Sequence, residues 1–315
     1  MKPTIPALLA LGLAVLVAAC GSESGDDSGE PRVTASTGIV ADITEQVAGG
    51  DAEVEQLIPD GSSPHDFQLS ASDRAGIEDS TLVVYNGAGL EAGVPIEDLD
   101  VDRFALTENV GTLLPSAEAG AHEDEAEEGA EEEEQPEEGG DPHVWMDPTR
   151  TASALPALAD ALAEADPQHA DGYRARAKEY AAELTALDGE LERALAAIPA
   201  ANRELVTSHD ALGYLADRYG LEVIATPFPP SGAEAEASAA RLRQVEDAIR
   251  EAQVPAVFAE AEDDPEVLEL VAGETGVEVI DDLLVESPAD TGSYAEMLRH
   301  DAELIAAALS APTSG

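Results

Sequence analysis

Three of the chain's six histidines stand where a sheet could present them to a ligand. His65 lies in Pro59-Asp60-Gly61-Ser62-Ser63-Pro64-His65-Asp66-Phe67, after an alternating strand pattern. His143 lies in Asp141-Pro142-His143-Val144-Trp145-Met146-Asp147-Pro148, beside the only tryptophan. His209 closes the strand pattern Glu204 to Ser208 and precedes Asp210-Ala211-Leu212-Gly213-Tyr214. Neutral imidazole is a good donor to transition metals near pH 7. The fourth candidate donor is Asp281, at the end of the pattern Val277 to Ile280. Three nitrogens and one carboxylate oxygen suit a tetrahedral metal site. A single histidine near a strand end is more often a surface or core residue. The weight here comes from the four together. His169 and His300 fall on helical patterns and are expected to face solvent.

Those residues need a scaffold that brings distant segments together. Short apolar runs alternate with helical patterns on both sides of the chain's middle, which predicts βαβ units and parallel sheets. Strands are expected at Val33 to Ser36, Val54 to Ile58, Thr81 to Tyr85, Glu204 to Ser208, Leu221 to Ala225, Val254 to Ala259 and Val277 to Ile280. Between the two groups, Tyr173, Ala177, Tyr180, Leu184, Leu187, Leu191, Leu195 and Ile198 recur at intervals of three and four. That spacing predicts one long helix over 166–198, with Pro167 at its start and Pro199 at its end. Asp147-Pro148 reads as an N-cap and first-turn proline of the helix before it. The expected fold class is α/β, with two parallel-sheet lobes joined by one long rigid helix. Open α/β sheets bind ligands at the carboxyl ends of their strands, so the metal site is expected in the cleft between the lobes. No sequence repeat relates the two lobes.

Residues 1–19 carry a lysine at position 2 and an apolar stretch from Ile5 to Ala18. The stretch is shorter than the ~20 residues that span a bilayer and reads as a signal peptide. Val17-Ala18-Ala19 precede Cys20, the only cysteine, and this pattern resembles a bacterial lipobox. That resemblance implies cleavage before Cys20 and lipidation of its sulfur. Residues 20–31 then form a flexible tether. The expected layout continues with a first lobe over 32–150, a helical region over 151–199 and a second lobe over 200–315. Within the first lobe, residues 122–140 read as a disordered acidic loop, because like charges at that density repel and stay solvated. His122 at its head allows loose metal capture as a secondary idea.

The chain has 315 residues, 67 acids against 15 lysines and arginines, and a formal net charge of −52. Such a surface repels nucleic acid and concentrates cations. The same acidity also serves solubility or salt adaptation. Aromatics make up only 3%, so alanine, leucine and valine must build the core.

DGSSPHDF, YNGAGLE, DPHVWMDP, TSHDALGYLADRYGLEV, VFAE and VIDDL occur in an order and spacing that resembles the zinc and manganese solute-binding lipoproteins of ABC transporters. The resemblance covers roughly Val33 to Leu309. It implies two α/β lobes, a rigid connecting helix and one metal in the cleft. It assigns ligand roles to His65, His143 and His209, and ranks Asp281 ahead of Asp282 and Glu260 as the acid. A monomer anchored by its lipid to the outer face of the cell membrane, with an ABC permease as partner, is the implied setting. Manganese-binding relatives tend to place a carboxylate where this chain has His209. Three imidazoles favour Zn²⁺, while Mn²⁺ prefers more oxygen. Zinc-binding relatives often carry a histidine-rich loop where this chain has its acidic run.

Two function classes follow. One is a binding protein, not an enzyme, that captures Zn²⁺ (or Mn²⁺ or Fe²⁺) for an importer. The other is a secreted zinc hydrolase, with Glu260 as a base. The chain lacks HExxH, in which a glutamate serves as base beside two zinc-binding histidines.

Overall fold

The computed structural model describes residues 31–116, 139–228, 238–261, 265–288 and 291–310. The signal peptide, Cys20, His122 and nearly all of the acidic loop lie outside the described residues.

Four strands form the first sheet: β1 (Arg32–Ala35), β2 (Glu53–Gln56), β3 (Leu82–Tyr85) and β4 (Arg103–Ala105). They are parallel, in the order β2-β1-β3-β4. Helix α1 (Gly38–Ala48) links β1 to β2, and α2 (Ala71–Glu78) precedes β3. The Thr37 hydroxyl caps α1 by accepting from the Val40 amide. It satisfies one of the amides that a helix start leaves without an internal partner.

The second group repeats this layout. It comprises β5 (Glu204–Val206), α5 (Gly213–Tyr219), β6 (Glu222–Ala225), α6 (Ala239–Ala252), β7 (Ala256–Glu260), α7 (Glu266–Thr275) and β8 (Glu278–Leu283). β5 pairs with β6 and β7 with β8, both parallel. A parallel bridge between Thr207 and Phe258 joins the two pairs. The resulting order, β6-β5-β7-β8, matches that of the first sheet, so a structural repeat exists where the sequence shows none.

Strand side chains alternate between faces, and each sheet uses both. Leu82 and Val84 face the main core, while Val83 and Tyr85 face a smaller outer cluster. In the second lobe Ala256 and Phe258 enter the same main core, and Val257 and Ala259 an outer one. The inner faces therefore share one continuous apolar interior.

Helices α3 (Pro148–Ala165), α4 (Ala170–Leu195) and α8 (Tyr294–Ser310) complete the fold. At 1.5 Å per residue, α4 is ~39 Å long. Its buried stripe is Tyr173, Ala177, Tyr180, Leu184, Leu187, Leu191 and Leu195. Arg176 near its start donates to Val47 O (2.8 Å), Ala48 O (2.6 Å) and Asp51 (2.8 Å) in the first lobe. Near its end, Asp188 pairs with Arg218 of α5 at 2.6 Å and Glu190 with Arg299 of α8 at 2.9 Å. One continuous helix thus braces both lobes.

The long helix starts later than the sequence pattern predicts. α3 ends at Ala165, and α4 begins only at Ala170. Pro167 disfavours helical backbone at the residue before it, and Asp166 is non-helical at φ −135°, ψ 85°. The Asp166 carboxylate then organises the turn by accepting from Gln168 N and binding His169 Nδ1. Pro167 separates two helices instead of opening one.

Candidate metal centre

Each candidate histidine is held by local structure that its sequence dictates. Past β2, Leu57 N and Ile58 N still bond to Ala35 O and Ser36 O, which extends the sheet edge toward His65. Gly61 turns the loop with φ +77°, a conformation costly for side chains with a Cβ. Beyond His65, Phe67 and Leu69 pack on the outer cluster and anchor the loop.

His143 heads a 3-10 turn, Val144–Met146, whose three side chains are all buried. Asp141 Oδ1 accepts from the His143 amide at 2.9 Å and contacts its Nδ1 at 2.8 Å. Tyr214 of α5 donates to Asp141 O at 2.8 Å. The Asp147 carboxylate then caps α3 by accepting from Thr149 N, as the Asp-Pro pattern predicts.

His209 follows β5, beside a break in the sheet register between Leu205 and Val206. A second register shift falls between Phe258 and Glu260. Bulges of this kind re-aim side chains beside functional sites. Glu260 Oε1 lies 2.7 Å from His209 Nδ1.

The three imidazoles converge, with ring centroids 5.3–5.9 Å apart. The fourth member is Glu286, buried beyond β8. His65, His143, His209 and Glu286 each offer one donor atom, all within 4.8 Å of one another. His209 Nε2 is 3.4 Å from His143 Nε2. Glu286 Oε1 is 3.5 Å from His65 Nε2 and 4.0 Å from His209 Nε2. With metal–ligand bonds of 2.0–2.1 Å, the edge of a zinc tetrahedron is about 3.3 Å. Two of the three distances lie within a few tenths of that edge.

Electrostatics favour a cation in the same place. Carboxylates at the Nδ1 atoms of His143 and His209 fix the protons there, which leaves each Nε2 as the lone-pair nitrogen. Two such lone pairs facing at 3.4 Å repel unless a positive centre lies between them. Burial, and then the neighbouring His143 and His209 rings, push the His65 imidazole down to about 3. His65 is therefore neutral, and its buried Nε2 makes no hydrogen bond among the described residues.

The structure brings together the three histidines that the sequence singled out, but not Asp281. Asp281 and Asp282 are exposed on β8. The Asp282 carbonyl instead accepts from His300 Nε2 at 2.8 Å. Glu260 stands behind His209 rather than among the four. Glu286 is the residue that sequence reasoning missed, because it lies beyond the strand pattern, which ends at Ile280. β8 runs on to Leu283, and Leu284 and Val285 are also buried. That apolar run ending in an acid is the signal that points to Glu286. His169 pairs with Asp166 and is half-exposed, as is His300.

Residues 33–308 match the family described as ZnuA, zinc-uptake complex component A, periplasmic. The chain belongs to this family. It is 31% identical over 285 residues to the iron-binding protein YfeA of Yersinia pestis, covering 89% of this chain and 86% of the relative. It is 25% identical over 320 residues to the manganese-binding lipoprotein MntA of Halalkalibacterium halodurans, covering 98% and 100%. The solved structure of the periplasmic zinc binding protein TroA from Treponema pallidum superimposes with a TM-score of 0.76 at 26% identity. That match covers 90% of this chain and 100% of the other.

Proposed function

We propose that this protein is the extracytoplasmic metal-binding component of an ABC importer. It captures Zn²⁺ between its lobes through His65, His143, His209 and Glu286 and delivers it to a membrane permease. The observation that carries the reading is the convergence of three ring nitrogens and a carboxylate oxygen within 4.8 Å of one another. Three imidazoles with one carboxylate favour zinc over harder ions. A second reading, Mn²⁺ or Fe²⁺ as cargo, draws on the metals in the names of MntA and YfeA.

Four protein donors close a tetrahedral site, whereas a hydrolytic zinc keeps one position for water. Glu260, the candidate base of a hydrolase, is engaged by His209. Both points support a binding protein rather than an enzyme. Cleavage before Cys20, lipid anchoring on the outer face, a monomeric state, and lobes over 32–150 and 200–315 around the helical region 151–199 belong to the same proposal.

The test is a titration of purified, metal-stripped protein with Zn²⁺, Mn²⁺ and Fe²⁺ separately, read by calorimetry and native mass spectrometry. One tight zinc per chain, held far more strongly than manganese, is expected. Tighter manganese or iron would move the cargo to the second reading. No tight binding of any of the three would refute the function.

A further inference from the structure

The lone tryptophan is tied to both halves of the candidate site. Trp145 is two residues past His143 and 2% exposed. Its ring packs edge-on against His143, with centroids 5.2 Å apart. Its indole Nε1 donates to Val285 O at 2.8 Å, across 140 residues of sequence. The Val285 carbonyl belongs to the planar peptide unit that leads into Glu286. Fixing that carbonyl fixes the backbone direction from which the Glu286 side chain departs. The Trp145 carbonyl accepts in turn from Tyr294 of α8. The Tyr294 amide donates to Asp42 of α1 at 2.9 Å.

We propose that Trp145 is a positioning residue for the bound ion and acts through Glu286. Its hydrogen bond latches the Glu286 segment of the second lobe to the His143 turn of the first, and so sets how long the ion is held. The proposal rests on the metal-binding reading above. Its physical basis is that a buried carbonyl left without a donor bears the full cost of its desolvation. Without the indole NH, the Val285–Glu286 segment gains by turning its carbonyl toward another donor, and the carboxylate moves with it. His143, in contrast, keeps its own anchor in Asp141.

Because the chain has one tryptophan, an indole analogue with sulfur in place of the ring NH can be introduced at this position alone. The analogue preserves ring size and removes only the donor. Trp145→Phe is the genetic counterpart, and metal-free melting curves show whether either variant still folds. The readout is the zinc dissociation rate into a chelator, in the native background and in Glu286→Gln. Residues acting through one another give non-additive double-mutant cycles. The expected result is release at least tenfold faster in the native background and less than twofold faster in Glu286→Gln. An unchanged rate, or the same acceleration in both backgrounds, would overturn the latch while leaving the metal site intact. A parent protein that holds no zinc would instead refute the metal-binding reading and the latch with it.

Discussion

The two lobes share a strand order but not a construction. In the first, β2-β1-β3-β4 pair in unbroken register. In the second, two strand pairs meet at a single bridge among the described residues, and both pairs contain register shifts. The shifts fall beside His209 and Glu260. The difference assigns two jobs to one topology. The first lobe is a stiff platform for His65 and His143. The second carries His209 and Glu286 on backbone that is less tightly paired. Local opening follows contact density and backbone pairing, so release of an ion should begin on the second lobe's side.

The strongest way to break this comparison is to remove a donor from the platform. A structural zinc site is worth roughly 10–16 kcal/mol over four donors, so loss of one should cost about a hundredfold or more in affinity. His143→Ala should show that loss in a competition titration, and His169→Ala should show none. Equal effects would dissolve the site.

The next test compares the acids of the second lobe. Glu286→Gln should weaken zinc binding strongly, while Asp281→Ala should leave it within error, because Asp281 is exposed on β8. The reverse result would restore the order that the sequence suggested.

Glu260→Gln probes the support behind a ligand. Replacing such an outer partner costs about 10–100-fold in metal affinity. Since Glu260 lies beside a register shift, its loss should also speed hydrogen exchange in β5 and β7 while leaving β1 and β3 unchanged. Exchange rising equally in both lobes would contradict the division of labour.

The smallest effect is expected at the turn between α3 and α4. The hydrogen bond to Asp166 raises the His169 imidazole above its ordinary value, burial opposes this, and the charges of Asp166 and Asp51 add to it. A raised histidine stabilises the fold fully below its unfolded pKa of about 6.5 and loses that contribution as pH rises through the folded value. His169→Ala should therefore lower the melting temperature slightly in acid and converge with the parent protein in alkali. A difference that grows with pH would reverse the assignment.

Much of this was legible because the pattern was local. Period-two strands, the stripe of α4 and the Asp147 cap are read directly from spacing. His65 and His209 were legible because each follows a strand pattern, and His143 because it lies in Asp141-Pro142-His143-Val144-Trp145-Met146-Asp147-Pro148 beside the only tryptophan. The acid was not. Asp281 lies on β8 with an exposed side chain, and Glu286 comes into reach only because buried Leu284 and Val285 carry the chain onward. The Leu284 amide donates to Asp301 of α8 at 3.0 Å, and the Val285 carbonyl accepts from Trp145. Those are tertiary contacts, and no local spacing encodes them. The same holds for Glu260, whose carboxylate reaches His209 across 51 residues. β4 was missed because its three residues, Arg103–Ala105, are too short for a periodic signal.

The most direct test is a crystal of the metal-loaded protein, measured at the zinc absorption edge. One anomalous peak bonded to Nε2 of His65, His143 and His209 and to a Glu286 oxygen is predicted. A peak bonded to Asp281 or Asp282, or no peak between the lobes, would contradict the account.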